Sequence, residues 1–410
     1  MRNGSPGDVL LGFRPGQRIF IQGGPGENVG LSNLLMDNPG YARGVEFWSS
    51  LVPGINSFDY GSLPGDAKLT TFMASTALEP SITAGRTRLI AMPYSEVAEL
   101  LSRTEFDAAI FQTSPPDAQG RYSFAHSCDM PPIVWPNAHK RIVFFNEQMH
   151  SLPLGQSLPG DAVDLAIPIN EPLLSPPPNV SRPAAVAEIA RLAAGLVPDG
   201  ATVQAGIGDT PAAVVAGLRL HRGLRILSGI ITSEYQQLAE SGALDAGAEH
   251  VAGVAWGDAA FRNWLPQSGF AFRSVLETHD HTKLAAIPGF VSIGSALEVD
   301  LTGNLNLEWR SGRRVSSVGG APDYLRAATA SAGGLSIIAL RATSGNGGSR
   351  IVPTLKAPSF AGDLVDVVVT EHGIAQLTGL SGETRANALI AIAAPEHRAF
   401  LADARRRSAI

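Results

Sequence analysis

Short apolar segments alternate with segments of helical periodicity along most of the chain, and this alternation restricts the fold more than any other feature. Four segments of the first half have the composition of buried strands: RIFIQGG, TRLIAMP, DAAIFQTS and RIVFFN. Four segments of the second half resemble them: ATVQAGIG, LRILSGII, SIIALRAT and VDVVVTEHG. Apolar residues recur at helical spacing in YSEVAELLSRT, AAVAEIARLAAGL, TPAAVVAGLRLHR and TSEYQQLAESG. The alternation predicts an α/β architecture with mostly parallel sheets.

A proline-rich segment divides this pattern into two parts. The segment LLSPPPNVSRP, residues 173–183, contains three successive prolines, which favour an extended connector over a helix or a central strand. A chain of 410 residues is long enough for two or three domains, each with its own core. We therefore predict an N-terminal α/β domain over residues 1–175 and a C-terminal one over residues 183–410.

Composition excludes several classes of function. The net charge of −6, from 31 basic and 37 acidic residues, gives no support to a surface that binds nucleic acid or an anionic membrane, since both need a basic excess. One cysteine, Cys128, excludes an intramolecular disulfide and a Cys-cluster zinc site. The nine histidines show no H-x-x-H spacing, so we predict no metal. The N-terminus lacks the apolar core of a signal peptide, which predicts a cytoplasmic protein.

One glycine-rich turn lies between a predicted strand and a predicted helix. In ATVQAGIGDTPAAVVAGL, Gly206 and Gly208 let the backbone approach a ligand, and Pro211 falls near the first helical turn. Free N–H groups at a helix start favour an anionic ligand. The spacing matches neither G-x-G-x-x-G nor a P-loop, and an ordinary βα turn is the alternative.

A second glycine pair, Gly319 and Gly320, follows a predicted strand in SGRRVSSVGGAPDY. Paired glycines can offer backbone N–H groups to a carbonyl oxygen that gains negative charge, although a plain turn is the simpler interpretation. Arg313 and Arg314 precede them and either meet an anion or form a solvated pair. His126 stands close to Cys128, but neighbours in sequence rarely form a Cys–His catalytic pair, and no G-x-S-x-G segment is present.

Several segments together, in order, resemble one enzyme family. In the first half they are FRPGQRIFIQGG, FDAAIFQTSPPDAQGRYSFAHSCD and VFFNEQM; in the second half they are VQAGIGDTPAAV, FVSIGSALEVDLTGNLN, VGGAPDYLRAATASAGGLSIIA, SRIVP, VVVTEHGIAQLTG and RANALIAIAAPEHRAFL. They look like the acetyl-CoA hydrolase/transferase family, and most like its 4-hydroxybutyrate CoA-transferase branch, over nearly the whole chain. The resemblance implies two similar open-sheet α/β domains, coenzyme A as part of an acyl-CoA substrate, and a homo-oligomer. It places CoA contacts at Gly206, Ile207, Gly208, Asp209, Thr210, Gly312, Gly319 and Gly320.

The resemblance also implies a covalent mechanism, from which this sequence departs. In the family, a glutamate carboxylate attacks the thioester to give an acyl-glutamyl anhydride, and the CoA thiolate then forms a glutamyl-CoA thioester. Alignment of LRILSGIITSEYQQLAESGAL without gaps puts Ser228 on the family's serine and Gly229 on its glutamate. Because Gly229 has no side chain, it cannot form an anhydride. We expect the missing glutamate side chain to leave open space beside the thioester.

Two carboxylates are candidate replacements. Glu234 follows Ser233, the expected helix N-cap, and lies in a first turn where the helix dipole favours a carboxylate in any case. To take the place of the family's glutamate at position 229, Glu234 would have to shift by five residues along the chain. Glu27, after the GGPG loop of the first half, is the other candidate.

The remaining candidates rest on family positions. Leu335 stands where the family tends to carry a lysine that contacts CoA, and Glu308 keeps a position suited to an acid/base or supporting residue. His372 replaces a usual tyrosine, either as a proton shuttle or, more simply, as a packed histidine. The resemblance makes His126, Asn146 and Glu147 candidate substrate contacts. Glu298 and Asp300 follow a family block and are also candidates, although stabilisation of a turn is the simpler interpretation.

Three functions follow from these observations. The first is an acyl-CoA enzyme without a glutamyl intermediate, either a hydrolase or another glutamate-free reaction. The second is a true CoA-transferase that uses another carboxylate, such as Glu234. The third is a non-catalytic homologue, or one that binds the thioester of an acyl carrier protein, which would suit the loss of the lysine at Leu335.

Overall fold

The computed structural model describes residues 2–177 and 183–408, so most of the predicted connector, residues 178–182, lies outside the described residues. Contacts between Cα atoms group the chain into two compact units. Unit 1 comprises Met1–Pro177, Val251–Thr278 and Arg314–Gly319; unit 2 comprises Pro178–His250, His279–Arg313 and Gly320–Ile410. Neither unit is one continuous stretch of chain, and the predicted division into residues 1–175 and 183–410 stays a prediction.

The elements of residues 2–177 are mostly short. The strands are β1 (Arg2–Asn3), β2 (Arg18–Ile21), β3 (Glu46–Ser49), β4 (Lys68–Thr71), β5 (Thr87–Leu89), β6 (Ala108–Thr113), β7 (Tyr122–Ser123), β8 (Arg141–Asn146), β9 (Ser157–Leu158) and β10 (Leu165–Ile169). The helices are α1 (Pro6–Leu10), α2 (Val29–Asp37), α3 (Glu79–Thr83), α4 (Tyr94–Ser102) and α5 (Pro131–Val134).

Unit 1 is built on a parallel sheet in the order β1-β10-β8-β6-β2-β3-β4-β5. All six residues of β6 are buried, because a parallel sheet is covered on both faces. From β2 the chain proceeds to one edge through β3, β4 and β5, and it returns to the other side of β2 with β6. The carboxyl ends of β2 and β6 therefore form a topological switch point, where open α/β sheets bind ligands.

The elements of residues 183–408 follow the same alternation. The strands are β11 (Thr202–Ala205), β12 (Arg225–Thr232), β13 (His250–Trp256), β14 (Phe270–Phe272), β15 (Phe290–Gly294), β16 (Glu298–Asp300), β17 (Leu305–Asn306), β18 (Trp309–Arg310), β19 (Arg313–Arg314), β20 (Leu335–Ala339), β21 (Ile351–Val352), β22 (Val367–Thr370) and β23 (Gly373–Gln376). The helices are α6 (Ala184–Ala194), α7 (Asp209–Gly217), α8 (Ser233–Glu240), α9 (Ala259–Trp264), α10 (Val275–Thr278), α11 (His281–Ala285), α12 (Ala321–Ala330), α13 (Gly382–Ala391) and α14 (Pro395–Ser408).

In unit 2, six neighbouring strands run in the order β12-β11-β15-β20-β22-β23, parallel except for the last pair. Here β11 has the place that β2 has in unit 1, with β12 on one side and β15 on the other. The switch point of unit 2 thus lies at the carboxyl ends of β11 and β15, which carry the predicted glycine-rich turn and Gly294.

The predicted α/β class is confirmed, since each quoted strand segment contains a strand and each quoted helical segment a helix. The predicted cap of α8 is wrong by one residue: its N-cap is Thr232, and Ser233 is already helical, because β12 passes into α8 without a loop. Within the described part of the chain, no helix has both the length and the apolar character needed to cross a bilayer.

Candidate functional site

The glycine-rich turn of unit 2 has the geometry of a ligand-binding loop. The Gly206 N–H donates to the Ile293 carbonyl oxygen at 2.9 Å, which ties the end of β11 to β15. Gly208 is the N-cap of α7 with φ 123° and ψ 165°, and the side chain of Ile207 is 44% exposed. The turn therefore presents backbone and an accessible helix start at the switch point of the sheet.

Gly208→Ala is expected to destabilise the protein by about 1–3 kcal/mol, because its φ and ψ belong to a region that is essentially restricted to glycine. Thermal unfolding with and without CoA measures both stability and binding, and we expect the stabilisation by CoA to shrink as well. Gly206→Ala is the matched stability control, since its Cβ would meet only the Ile293 carbonyl oxygen, at 3.8 Å. Equal stability of the Gly208→Ala variant and the native protein would contradict the prediction.

Gly229 lies within β12, and its surroundings contradict the expected open space. A Cβ built on Gly229 would come 2.7 Å from Cε1 and 3.0 Å from Nε2 of His279, and 2.9 Å from Oη of Tyr324. These distances are shorter than ordinary van der Waals contact. The space that a side chain at position 229 would occupy is therefore filled by the His279 imidazole and the Tyr324 phenol.

His279 and Tyr324 form a buried aromatic pair in unit 2. Their ring centroids are 4.6 Å apart, and the Tyr324 hydroxyl oxygen lies 3.5 Å from Nδ1 of His279. His279 is 4% exposed and Tyr324 3% exposed. Burial lowers the pKa of His279 to about 3, because a charged imidazolium is poorly solvated there. The imidazole is therefore neutral at physiological pH.

Glu234 lies in the first turn of α8, as predicted, and is buried. Its Oε2 accepts a hydrogen bond from the Thr232 hydroxyl at 2.6 Å. Because β12 ends at Thr232 and α8 begins at Ser233, there is no loop whose length could absorb a five-residue slide. Its role as a nucleophile stays a prediction.

The other predicted CoA positions are turns and element ends. Gly312, with φ 76°, lies between β18 and β19, and Leu335 begins β20. Gly319, with φ 55°, belongs to unit 1, where its carbonyl oxygen accepts from the Tyr94 N–H at 3.1 Å. Gly320 belongs to unit 2 and is the N-cap of α12. The contacts of these residues with CoA stay predictions.

Asp300 stabilises the turn after β16, as expected, whereas Glu298 bonds across to the neighbouring strand β17. Oδ1 of Asp300 accepts from the Thr302 N–H at 2.9 Å, the Thr302 hydroxyl at 2.6 Å and the Asn304 N–H at 3.1 Å. Oδ2 accepts from the Asn304 side-chain amide at 3.1 Å and the Leu355 N–H at 3.2 Å. Glu298 accepts from the Asn306 side-chain amide at 2.7 Å.

Glu308 and His372 differ in their surroundings. Glu308 is buried, and its Oε2 accepts from the Ser359 hydroxyl at 2.9 Å. His372 lies in the turn between β22 and β23 and is exposed, so the packed alternative is wrong. A two-residue turn at an edge strand leaves it no core to pack into. The catalytic roles proposed for both residues stay predictions.

In unit 1, His126 and Cys128 are both buried. Burial raises the pKa of the Cys128 thiol to about 12, and its Sγ contacts Gln156 and the Phe272 carbonyl. The thiolate needed for nucleophilic attack is therefore disfavoured. Burial, with a smaller effect of Arg262, lowers the pKa of His126 to about 4. Within the described residues, Nε2 of His126 has no hydrogen-bond partner.

A buried polar cluster lies at the switch point of unit 1. Gln112 at the end of β6 donates its N–H to the Gln22 side-chain oxygen at 2.7 Å, and it accepts from the Asn146 amide at 3.2 Å. Glu27 accepts from the Asn56 amide at 2.8 Å, and burial raises the pKa of its carboxyl group. Glu147, in contrast, is exposed. The substrate contacts predicted for His126, Asn146 and Glu147 stay predictions.

Sequence reasoning missed His279 and Tyr324. They are 45 residues apart, and neither belongs to a recognised catalytic spacing. The one signal was that Tyr324 lies in the family-like segment VGGAPDYL, just after the glycine pair. Within residues 2–177 and 183–408, no three His, Cys, Asp or Glu side chains are grouped so as to hold a metal ion.

Known proteins of similar sequence identify the family of this chain. Residues 257–405 match the family model described as the acetyl-CoA hydrolase/transferase C-terminal domain. The 4-hydroxybutyrate coenzyme A transferase of Clostridium kluyveri is 30% identical over 399 residues, which cover 94% of this chain and 92% of the relative. The chain belongs to the acetyl-CoA hydrolase/transferase family. The resemblance seen in the sequence is confirmed, and the chain is an enzyme of this family.

One solved structure and one further relative agree with this assignment. RipA from Yersinia pestis has the same fold, with a TM-score of 0.92 and 25% identity, over 100% of this chain and 98% of RipA. An acetyl-CoA hydrolase of Saccharomyces cerevisiae is 30% identical over 222 residues, which cover 52% of this chain and 41% of that enzyme. The two units are therefore open-sheet α/β units of the CoA-transferase type, as predicted.

Proposed function

We propose that this chain hydrolyses an acyl-CoA thioester without forming the glutamyl-CoA intermediate that the family resemblance implies. The observation that carries the proposal is Gly229. In the ungapped register, Gly229 takes the place of the family's glutamate. His279 and Tyr324 occupy the space that a side chain at this position would need. Family membership supports a CoA thioester as the substrate.

Two further observations favour a reaction without a glutamyl intermediate over recruitment of another carboxylate. Glu234 is held by the Thr232 hydroxyl in a helix that directly follows its strand. Burial raises the pKa of Glu27, which favours its protonated and less nucleophilic form. Transfer of CoA between two acids remains the second candidate, because a carboxylate presented by either residue would restore that mechanism.

The glycine-rich turn supports binding of the CoA part of the substrate. Backbone N–H groups at the start of α7 and the exposed turn at Gly206–Thr210 suit an anionic phosphate. Leu335 in place of a lysine suggests that one charged contact with CoA is missing. A carrier-bound thioester is the alternative source of the same acyl group.

Intact-protein mass spectrometry tests the proposal. The protein is incubated with acetyl-, butyryl- and 4-hydroxybutyryl-CoA and then with borohydride, while released thiol is measured in parallel. We expect thiol release without a CoA-sized adduct and without reduction of any glutamate to its alcohol. An adduct that forms in the native protein would overturn the proposal. If the adduct is then absent from a Glu234→Gln variant, Glu234 is the recruited nucleophile.

A further inference from the structure

We propose that a small cavity in unit 1 binds one small monovalent anion, such as chloride or the carboxylate group of formate. The polar side chains in its wall are His126, Gln148, His150 and Arg262. All four residues belong to unit 1, whereas the glycine-rich turn belongs to unit 2. The proposal is independent of the proposed function, because it concerns binding of an anion and not the reaction of a thioester.

The cavity has room for one small ligand and an opening through which it can enter. It leaves about 10 Å³ for the centre of a water-sized sphere, which is space for one water molecule or one ion of similar size. Its inner wall is buried and includes Leu152, Leu173 and Leu265. Gln148 and His150 are exposed, so the cavity opens to the surface on their side.

Arg262 gives the cavity a positive charge that is held in place. Its Nη1 donates to three uncharged oxygens: the Gly257 carbonyl at 2.7 Å, the Leu174 carbonyl at 3.0 Å and the Ser175 hydroxyl at 3.0 Å. Among the described residues, Nε and Nη2 of Arg262 have no hydrogen-bond or ion-pair partner. These two nitrogens are therefore available to an anion, for which a guanidinium group is a strong donor.

The positive charge of Arg262 lacks a counterion in contact with it. Burial lowers the pKa of Arg262, because a half-buried cation is poorly solvated, and Asp258 only partly opposes this effect. Oδ1 of Asp258 accepts from the Phe261 N–H at 2.9 Å as the N-cap of α9. A small anion in the cavity would provide the missing counterion.

The charges around His126 also favour an anion over a cation. Burial lowers the pKa of His126 to about 4, and the charges of Arg262 and His150 act in the same direction. Both of these neighbours are basic groups. A cation in the cavity would therefore be repelled, whereas an anion would be attracted.

His126 also contributes a buried atom that a ligand can satisfy. Within the described part of the chain, its Nε2 has no hydrogen-bond partner, which costs free energy in the interior. The tautomer with the proton on Nε2 gives this wall of the cavity an N–H donor. A water molecule could bond to the same wall, but it would leave the charge of Arg262 without a counterion.

Thermal unfolding of the protein in different sodium salts at constant ionic strength tests the proposal. Chloride, bromide or formate replaces gluconate, an anion that is too large for the cavity. We expect a saturable increase in Tm of about 2–5 °C, because a ligand that binds only the folded state stabilises it. The salt series also identifies the anion: a response to chloride alone supports a halide site, and a response to formate alone supports a carboxylate site.

Two arginine variants show whether the response comes from the cavity. Arg262→Gln should lose the increase in Tm. Arg273→Gln is the matched control in unit 1 and should keep it. Nη1 of Arg273 also donates to carbonyl oxygens, those of Leu154 at 2.7 Å and Phe272 at 3.2 Å, but Oε2 of Glu277 lies 3.6 Å from its Nε and neutralises its charge.

Anomalous scattering from crystals of the native protein in bromide gives a second measurement, which decides the matter if Arg262→Gln does not fold. We expect an anomalous peak in the cavity within contact distance of Arg262. The proposal is overturned if Tm responds to none of the three anions, which would mean that the cavity holds only water. It is also overturned if Arg262→Gln keeps the full response, or if bromide raises Tm without a peak in the cavity.

Discussion

Gly229→Ala is expected to lower the free energy of unfolding by about 1–3 kcal/mol, the usual cost of overpacking a well-filled interior. The added methyl carbon would come within 2.7 Å of His279 and 2.9 Å of Tyr324, and neither ring can move freely. Tyr324 packs on Phe290, and His279 is held between two glycines. Chemical denaturation of the folded protein measures the change.

Two controls make this prediction specific. Gly345→Ala, also in unit 2, adds a methyl group with no atom within 4 Å and should leave stability nearly unchanged. In a His279→Ala background, Gly229→Ala should cost clearly less than it does alone, because the principal clash is gone. Equal costs in the two backgrounds would mean that His279 does not fill the space beside position 229.

Asp300→Ala is expected to destabilise the protein by about 2–4 kcal/mol, since it removes a buried acceptor of several hydrogen bonds. Asp300 is 1% exposed, and its carboxylate accepts hydrogen bonds from the backbone N–H groups of Thr302, Asn304 and Leu355. Without it, these N–H groups lose their partner. Unfolding by urea, followed by circular dichroism, measures the loss.

A graded variant separates hydrogen bonding from side-chain volume at this position. Asp300→Asn keeps one side-chain oxygen and the volume of the side chain, so we expect a smaller loss than for alanine. If alanine and asparagine are tolerated equally well, the hydrogen bonds of Asp300 contribute little, and its predicted role in stabilising the turn is wrong.

The sequence was sufficient to predict the features that depend on local pattern. Runs rich in β-branched residues, such as VDVVVT, favour a buried strand, and Gly206 and Gly208 between a strand and a helix indicate a tight βα turn. The family could be inferred because many short segments occur in the same order, which no single motif could have established.

The features that were missed depend on contacts between distant parts of the chain. The ungapped register of Gly229 is a prediction from its neighbours in sequence, and those neighbours do not indicate which residues lie beside it. His279 comes from the turn between α10 and α11, and Tyr324 comes from α12. Only the fold brings both rings to one glycine. We expected open space where the side chain is missing, whereas His279 and Tyr324, which are distant in sequence, fill that space.

The composition of the two units has a consequence for biosynthesis. Unit 1 requires residues 251–278 and 314–319 in addition to the N-terminal stretch. During translation, the first 177 residues therefore leave the ribosome long before the last segment of their unit has been made. Unit 1 cannot be completed until residue 319 of 410 has emerged. A nascent chain that stalls earlier would carry an unfinished unit, and the apolar surface that such a unit exposes is prone to aggregation.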